Sequence, residues 1–295
     1  LLSFTYQLPS RLMNESVSLS AVKPEDKSIS LLRYRTQQPA ARTRVMLPQH
    51  MFTFLLEGEK TVHFAGAQVT VRPHEFVMLA AGNCLMSEKV AGQDANYHSL
   101  MLLFDQQLLT DFFGRHAAWL GRQQKQAASQ PFLLFEKDEF LVNFACSLDY
   151  LLRGAKPINH ALRQVKLEEL LLYLAEHYPG QIQQLRSMGY EASDELLVRQ
   201  AVTSHIGSPT TVEELAFLCN MSLSTFKRRF ARLYGTSPNR WLLEKRMDRA
   251  AKLLRQEDRK VSEIYDELGY ENLSSFIQSF KQIYGVTPKQ YQLTN

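Results

Sequence analysis

The 295-residue chain has only three cysteines, Cys84, Cys146 and Cys219, at long spacings and with no Cys-x-x-Cys pair. So odd and scattered a set argues against a disulfide framework and a zinc finger, and it fits a reducing cytoplasm. Long apolar runs are missing too. A bilayer crossing takes about 20 such residues, and the richest stretch, 167–175, carries two glutamates, so no membrane role is expected. The opening LLSFTYQLPSRLMNES lacks a basic start followed by an apolar core, so no secretory signal is expected either. Gly-x-Ser-x-Gly, a Walker-type lysine loop and paired Cys-x-x-Cys are all absent, which leaves no catalytic residue to name and no cofactor to expect. His50, His63, His74 and His98 are scattered, whereas a first-row metal needs several converging ligands.

A strong surplus of either charge is also lacking: the whole chain carries a formal +4. The distribution is more informative. Residues 196–295 hold 15 Lys+Arg against 10 Asp+Glu, and residues 1–195 hold 19 against 20. All the positive excess therefore lies in the last third, as expected of a domain that faces a polyanion.

From about residue 30 to 104 the chain alternates short β-branched or aromatic runs with turn residues. Strands are expected over 30–36, 51–56, 60–64, 68–72, 75–80, 85–90 and 97–104, a spacing that suggests a sandwich or small barrel. Breaks fall at Gly58, Gly66, Pro73, Gly82 and Gly92. Residues 51–56 are apolar on both faces and should be covered on both sides. Residues 61–64 and 68–72 alternate and should be half exposed. Pattern alone does not say whether Met51, Thr53 and Leu55 or Phe52, Phe54 and Leu56 face the interior.

After residue 104 the period changes to about 3.6. Helices are expected over 105–122, 138–153 and 160–178. The third, with Leu162, Val165, Leu170, Leu171 and Leu174, has a wider apolar face than packing on one sheet requires. Either the domain is thick or this helix meets its copy in a homodimer. The expected division is a regulatory and dimerisation domain at 1–180, an irregular linker at 181–193, and a helical domain at 194–295.

That helical domain repeats itself. LSTFKRRFARLYGTSP at 223–238 returns 50 residues later as LSSFIQSFKQIYGVTP at 273–288, with seven of 16 positions identical. Each copy follows a short amphipathic segment and a sharp break, at Asn220 and Gly269, which is the helix-turn-helix arrangement. At 100° per residue Leu223, Phe226, Phe230 and Leu233 fall within about 80° and must be core. The opposite arc shows Ser224, Thr225, Arg228, Ala231 and Arg232, flanked by Lys227 and Arg229. The second copy buries Leu273, Phe276, Phe280 and Ile283 and shows Ser274, Ser275, Gln278, Lys281 and Gln282.

Small hydroxyl residues near the helix start allow entry into a major groove, where Arg228 suits guanine and Gln278 adenine. Lys227, Arg229, Arg232 and Lys281 are placed for phosphates, which fix register without reading sequence. One such helix would be unremarkable as a solvated surface; two with the same exposed arc are not. Pro238 should open a connecting helix through Arg255, a rod of about 27 Å that could seat both reading helices in successive major grooves of double-stranded DNA.

Residues 196–295 resemble the DNA-binding domain of the AraC/XylS transcription regulators. The matching residues include Leu215-Ala216, Met221-Ser222, Arg229-Phe230, Gly235, Ser237-Pro238, Arg246, Leu253-Leu254, Ile264, Gly269-Tyr270, Phe276, Phe280, Gly285 and Thr287-Pro288. The resemblance implies base contacts at Ser224, Lys227, Arg228, Ser274 and Gln278, and RNA polymerase as a partner. Asn220 replaces the usual turn glycine, which asparagine's tolerance of positive φ accommodates. Tyr265 stands where the family has alanine, and Gln278 where many relatives have arginine.

The strand spacing is similar to the family's cupin-like β-barrel, giving an α+β expectation overall. LLEGEKTV at 55–62, LEELLLYLA at 167–175 and TFKRRF at 225–230 look most similar to the ExsA-like activators of type III secretion. That branch implies control by a regulatory protein, whereas other relatives bind a small effector in the barrel. Two further readings are a sensor that mainly docks a partner through the 160–178 helix and a barrel enzyme with an incidental DNA domain.

Overall fold

A computed structural model describes residues 6–7, 28–90, 96–120, 130–154, 156–188, 194–206, 210–256 and 259–294. The expected break at Gly92 and the last residues of the 105–122 helix lie outside them. The chain divides into two units, Leu1–Ala192 and Ser193–Asn295, the first of sheets and helices and the second all helical.

The first unit has strands β1 (Tyr6–Gln7), β2 (Ile29–Thr36), β3 (Ala40–Leu47), β4 (His50–Glu57), β5 (Glu59–His63), β6 (Gln68–Val71), β7 (Glu75–Leu79), β8 (Gly82–Lys89), β9 (Tyr97–Phe104) and β10 (Phe132–Glu136). They form two five-stranded sheets, in the orders β1-β3-β8-β5-β6 and β10-β7-β4-β9-β2. Every pairing is antiparallel except β1 on β3.

The expected strands are present. β1, β3 and β10 lie outside the expected set. β3 carries two arginines, a register shift between Ala40 and Thr43 and a left-handed Arg42 at φ 47°, so its alternation is broken. β10 is five residues in a stretch whose neighbours have helical spacing.

Burial settles the ambiguity at residues 51–56. Met51 and Leu55 pack between the sheets with Val45, Val62, Val71, Cys84, Met86 and Met101. Phe52 and Phe54 point the other way, into a cluster with the helices that includes Phe76, Phe104, Phe112, Phe135 and Phe144. β5 and β6 alternate between buried and more exposed residues, as their pattern requires.

The helices of this unit are α1 (Gln106–Arg115), α2 (Ala117–Leu120), α3 (Glu139–Arg153), α4 (His160–His177) and α5 (Pro179–Ser187). The side chains of Asp105, Asp138 and Asn159 accept from backbone N–H groups three residues on, which fixes the starts of α1, α3 and α4. The expected helix from 105 breaks at His116 into α1 and α2.

Two expectations are corrected. Residues 181–187 are not linker: Pro179 at a first-turn position starts α5, and Ile182 and Leu185 are buried in the sheet–helix cluster. The wide apolar face of α4 also has an internal explanation. Leu170, Leu171 and Leu174 are at most 1% exposed against that cluster, whereas Leu162 is 36% and Val165 58% exposed. α4 is clasped by the sheet on one side and α5 on another, so the domain is thick, and three of the five leucine and valine positions cannot face a second copy.

The second unit comprises α6 (Asp194–Ser204), α7 (Val212–Leu218), α8 (Leu223–Tyr234), α9 (Pro238–Leu254), α10 (Val261–Glu267), α11 (Leu273–Tyr284) and α12 (Pro288–Thr294). α9 belongs to both halves. Near its start Trp241 meets Phe230 edge-on at 5.9 Å. Toward its end Met247, Ala250, Ala251 and Leu254 pack with Ile264, Leu268, Phe276 and Phe280. The repeat is kept in three dimensions: Tyr291, 50 residues after Trp241, meets Phe280 in the same way at 5.4 Å.

Candidate nucleic-acid interface

α7 with α8 and α10 with α11 form two helix-turn-helix units, and local chemistry fixes both turns. In the first, a capping box joins Thr211 and Glu214 at the start of α7. Asn220 adopts φ 55°, and its backbone N–H and that of Met221 donate to Phe217 O and Ala216 O. In the second, Gly269 takes φ 73°, and Gly269 and Tyr270 donate to Asp266 O and Tyr265 O, the same pattern. Asparagine thus does occupy the left-handed position that glycine holds in the second copy. The turns differ by one residue, since α8 starts five residues after α7 ends and α11 six residues after α10 ends.

Ser222 and Asn272 cap the second helices through Thr225 N and Ser275 N. Gly235 at φ 69° and Gly285 at φ 76° close them. The buried residues of the two helices are Phe226 and Phe230, then Phe276 and Phe280. Leu223, Leu233 and Ile283 are only partly covered, and Leu273 is exposed at the rim, so the core is narrower than the helical wheel indicates.

Ser224, Lys227, Arg228, Ser274, Gln278 and Lys281 are all exposed, on the sides of α8 and α11 away from those phenylalanines. Ser224 is tethered: its hydroxyl lies 3.1 Å from that of the cap Ser222, which in turn donates to Thr225 Oγ1 at 2.9 Å. This hydroxyl cluster makes the leading edge of α8 small and polar. Among the described residues neither Lys227 nor Arg228 has an ion pair.

Two expected phosphate ligands are otherwise engaged. Arg229 is half-buried and ion-paired with Asp194, and Arg232 Nη2 lies 3.1 Å from Glu195 Oε1. Asp194 and Glu195 form the first turn of α6. Together with Arg228 the two arginines line one surface groove. The charge pattern of the chain could have revealed these carboxylates, which begin the helical unit and lower its net charge from +5 to +3.

The scattered histidines stay apart. His50 is buried; its Nδ1 accepts from Ala81 N and its Nε2 bonds Gln106 Oε1 at 2.6 Å, with burial pulling its pKa down. His98 is buried beside Arg35, Arg33 and Asp149, with burial foremost and the two arginines next in lowering its pKa to about 4. His74 is exposed. Among the described residues no group of three His, Cys, Asp or Glu could hold a metal. Burial raises the Cys84 and Cys219 thiols to about 12, so neither is a ready nucleophile. Among the described residues no helix is long and apolar enough to cross a membrane.

Sequence pattern missed the buried lysine of the first unit. Lys60 lies between the sheets, opposite Glu88 in the β5–β8 register, with Nζ 3.4 Å from Glu88 Oε1 and 5.8 Å from the Tyr97 ring centre. Burial works against its charge, and Tyr97 and Glu88 beside it more than offset that, so its pKa is raised.

Comparison with known proteins gives a consistent result. Residues 50–186 match the family described as the ExsA N-terminal regulatory domain, and residues 215–294 a helix-turn-helix domain. The chain is 28% identical over 239 residues to the HTH-type transcriptional regulator ExsA of Pseudomonas aeruginosa, covering 80% of this chain and 83% of that one. It is 29% identical over 189 residues to the virulence regulon transcriptional activator VirF of Yersinia enterocolitica, covering 63% and 69%. Among solved structures, the DNA-binding domain of AdpA in complex with a target DNA is 29% identical, with a TM-score of 0.33, covering 35% of this chain and 93% of that one.

Proposed function

The chain belongs to the AraC/XylS transcription regulators, in its ExsA-like branch, and from that premise we propose how it reads DNA and how it is controlled. It is a transcription regulator with a helix-turn-helix DNA-binding domain and not an enzyme; VirF is an activator, and we assign activation to this chain as well. Arg228 and Lys227 with Ser224 read bases from α8, and Ser274 and Gln278 from α11. Lys281 holds a phosphate, as do Arg229 and Arg232 when free of their carboxylates. RNA polymerase is the downstream partner, and the protein works in the cytoplasm.

The observation that carries this reading is the match between repeat and burial. The phenylalanines that recur at 50-residue spacing are buried, while Ser224, Lys227 and Arg228 in the first copy and Ser274 and Gln278 in the second are exposed. For control we favour a regulatory protein over a small effector. The space between the sheets is occupied by a continuous cluster of buried side chains from both sheets. The outer helices, by contrast, carry the exposed apolar or aromatic side chains Val142, Tyr150 and Val165, which suit contact with a second copy or another protein. Homodimerisation then rests on Leu162 and Val165.

Selection of binding sites from a random duplex library tests the DNA assignment. Arg228→Ala should relax preference at one base position and weaken binding there by about 1–3 kcal/mol. An unchanged preference would reject Arg228 as a base reader.

A further inference from the structure

The two reading helices are unequal in charge. α8 carries four cations, Lys227, Arg228, Arg229 and Arg232, and α11 one, Lys281. An unmodified α8 would grip any duplex through its phosphates, because four adjacent cations release counterions whatever the base sequence. The structure does not leave all four available. Asp194 pairs with Arg229 and Glu195 with Arg232, both from the first turn of α6, while Lys227 and Arg228 carry no such partner among the described residues.

We propose that Asp194 and Glu195 determine selectivity: they hold Arg229 and Arg232 back from the phosphate backbone, so that binding through α8 depends on Lys227 and Arg228 at the base edges. This rests on the DNA-binding assignment and goes beyond it, because it gives a role to two acidic residues on a different helix from the readers.

The geometry supports a restraining role more than a stabilising one. Arg232 and Glu195 are 67% and 55% exposed, and ion pairs this open add little to folding. Arg229 and Arg232 are three apart and lie together on one flank of α8, facing two consecutive acidic residues, so the pairs form as a set. Both arginines border the same groove as Arg228. A phosphate entering that groove must compete with a carboxylate already in place, and the carboxylate left behind repels it. α11 has no arginine to restrain, since Ser279 and Gln282 stand where α8 has Arg229 and Arg232.

The experiment uses the full chain and its Asp194→Asn/Glu195→Gln variant, with a duplex selected from a random library by the wild-type protein and a scrambled duplex of equal length. Affinities are measured by fluorescence anisotropy between 50 and 200 mM salt. Freeing two arginines should steepen the slope of log K against log salt on the scrambled duplex by up to about 1.8, an affinity loss across that range about tenfold greater than wild type. The ratio of selected to scrambled affinity at 50 mM salt should fall by a similar factor. Glu213→Gln removes one exposed charge from the same unit that pairs with neither arginine among the described residues, and should leave slope and ratio unchanged. Adding Arg229→Gln and Arg232→Gln to the double variant should restore the wild-type ratio.

A variant that melts like wild type yet keeps the wild-type slope and ratio overturns the proposal. So does one that loses binding to both duplexes, since the carboxylates would then be aiding the arginines. Glu195→Gln alone, at the exposed pair, repeats the test at about half the effect should the double variant fold poorly. Failure of the wild-type protein to select any duplex would instead sink the DNA-binding assignment itself.

Discussion

Lys60 offers a sharp test of how the first unit is held together. Its side chain is 2% exposed and that of Glu88 12%, with 3.4 Å between Nζ and Oε1. At an effective dielectric of about 20, two unit charges at that distance attract by roughly 5 kcal/mol. Each charge has lost most of its water, so the pair as a whole contributes far less than this. Lys60→Met keeps most of the aliphatic stem but leaves the Glu88 carboxylate without its counter-charge, a change that typically costs about 3–5 kcal/mol. For a unit of this size 1 kcal/mol moves the melting midpoint by about 2–4 °C, so the transition should fall by roughly 6–20 °C. Lys60→Met/Glu88→Leu removes both charges and should recover most of the loss, because replacing a whole buried pair by apolar groups is often neutral. Scanning calorimetry of the full chain reads all three proteins. A single variant that melts with wild type, or a double variant no better than the single, would refute the view that the two charges depend on each other.

Gly58 sits at φ 93°, and a Cβ there would lie 2.6 Å from Lys89 O and 2.9 Å from Tyr97 Cδ2. Gly58→Ala should therefore destabilise the unit by at least about 1–3 kcal/mol, measured as a lower urea midpoint at unchanged slope. His98, at about 4 in the fold against 6.5 in a free chain, must stay neutral. Its contribution is fully present above pH 6.5 and is lost as pH falls from there toward 4, up to roughly 3 kcal/mol in all. Urea melts at steps across that window should show the loss in wild type and a flatter profile in His98→Gln; parallel profiles would count against it. Val165→Glu on the exposed side of α4 should lower the apparent mass in gel filtration with little change in stability, whereas the buried Leu170→Ala should cost about 2–5 kcal/mol. A monomeric wild-type protein would remove α4 as a self-association surface.

Local chemistry made much of this protein legible in its sequence. The duplicated Phe-x-x-x-Phe spacing, the prolines that open α9 and α12, and the left-handed turn residues each act within a few positions of themselves, so pattern suffices to place them. Residues that act over long sequence distances were not legible in this way. β3 hides behind its bulge and its arginines, and β10 finds its partner β7 only across more than 50 residues. α5 looked like linker because its nine residues contain proline, glycine and three glutamines; Ile182 and Leu185 suffice once a cluster exists to receive them.

The exposed arcs of α8 and α11 followed from helical period, because one buried stripe fixes where the opposite face points. Which of those exposed cations are free did not follow. Arg232 shares the outward arc with Arg228 and Arg229 lies on its flank, but only the packing of α6 beside α8 gives them carboxylates. The sequence by itself therefore determined the two-part organisation, the duplicated helix-turn-helix units and the turns that shape them, all set by short-range periodicity and backbone preference. The tertiary structure alone decided which face of β4 looks between the sheets, which leucines of α4 are buried within the first unit, and how Lys60 and Glu88 come to share a buried site. Those outcomes depend on pairings between distant segments, whose energies no local window contains.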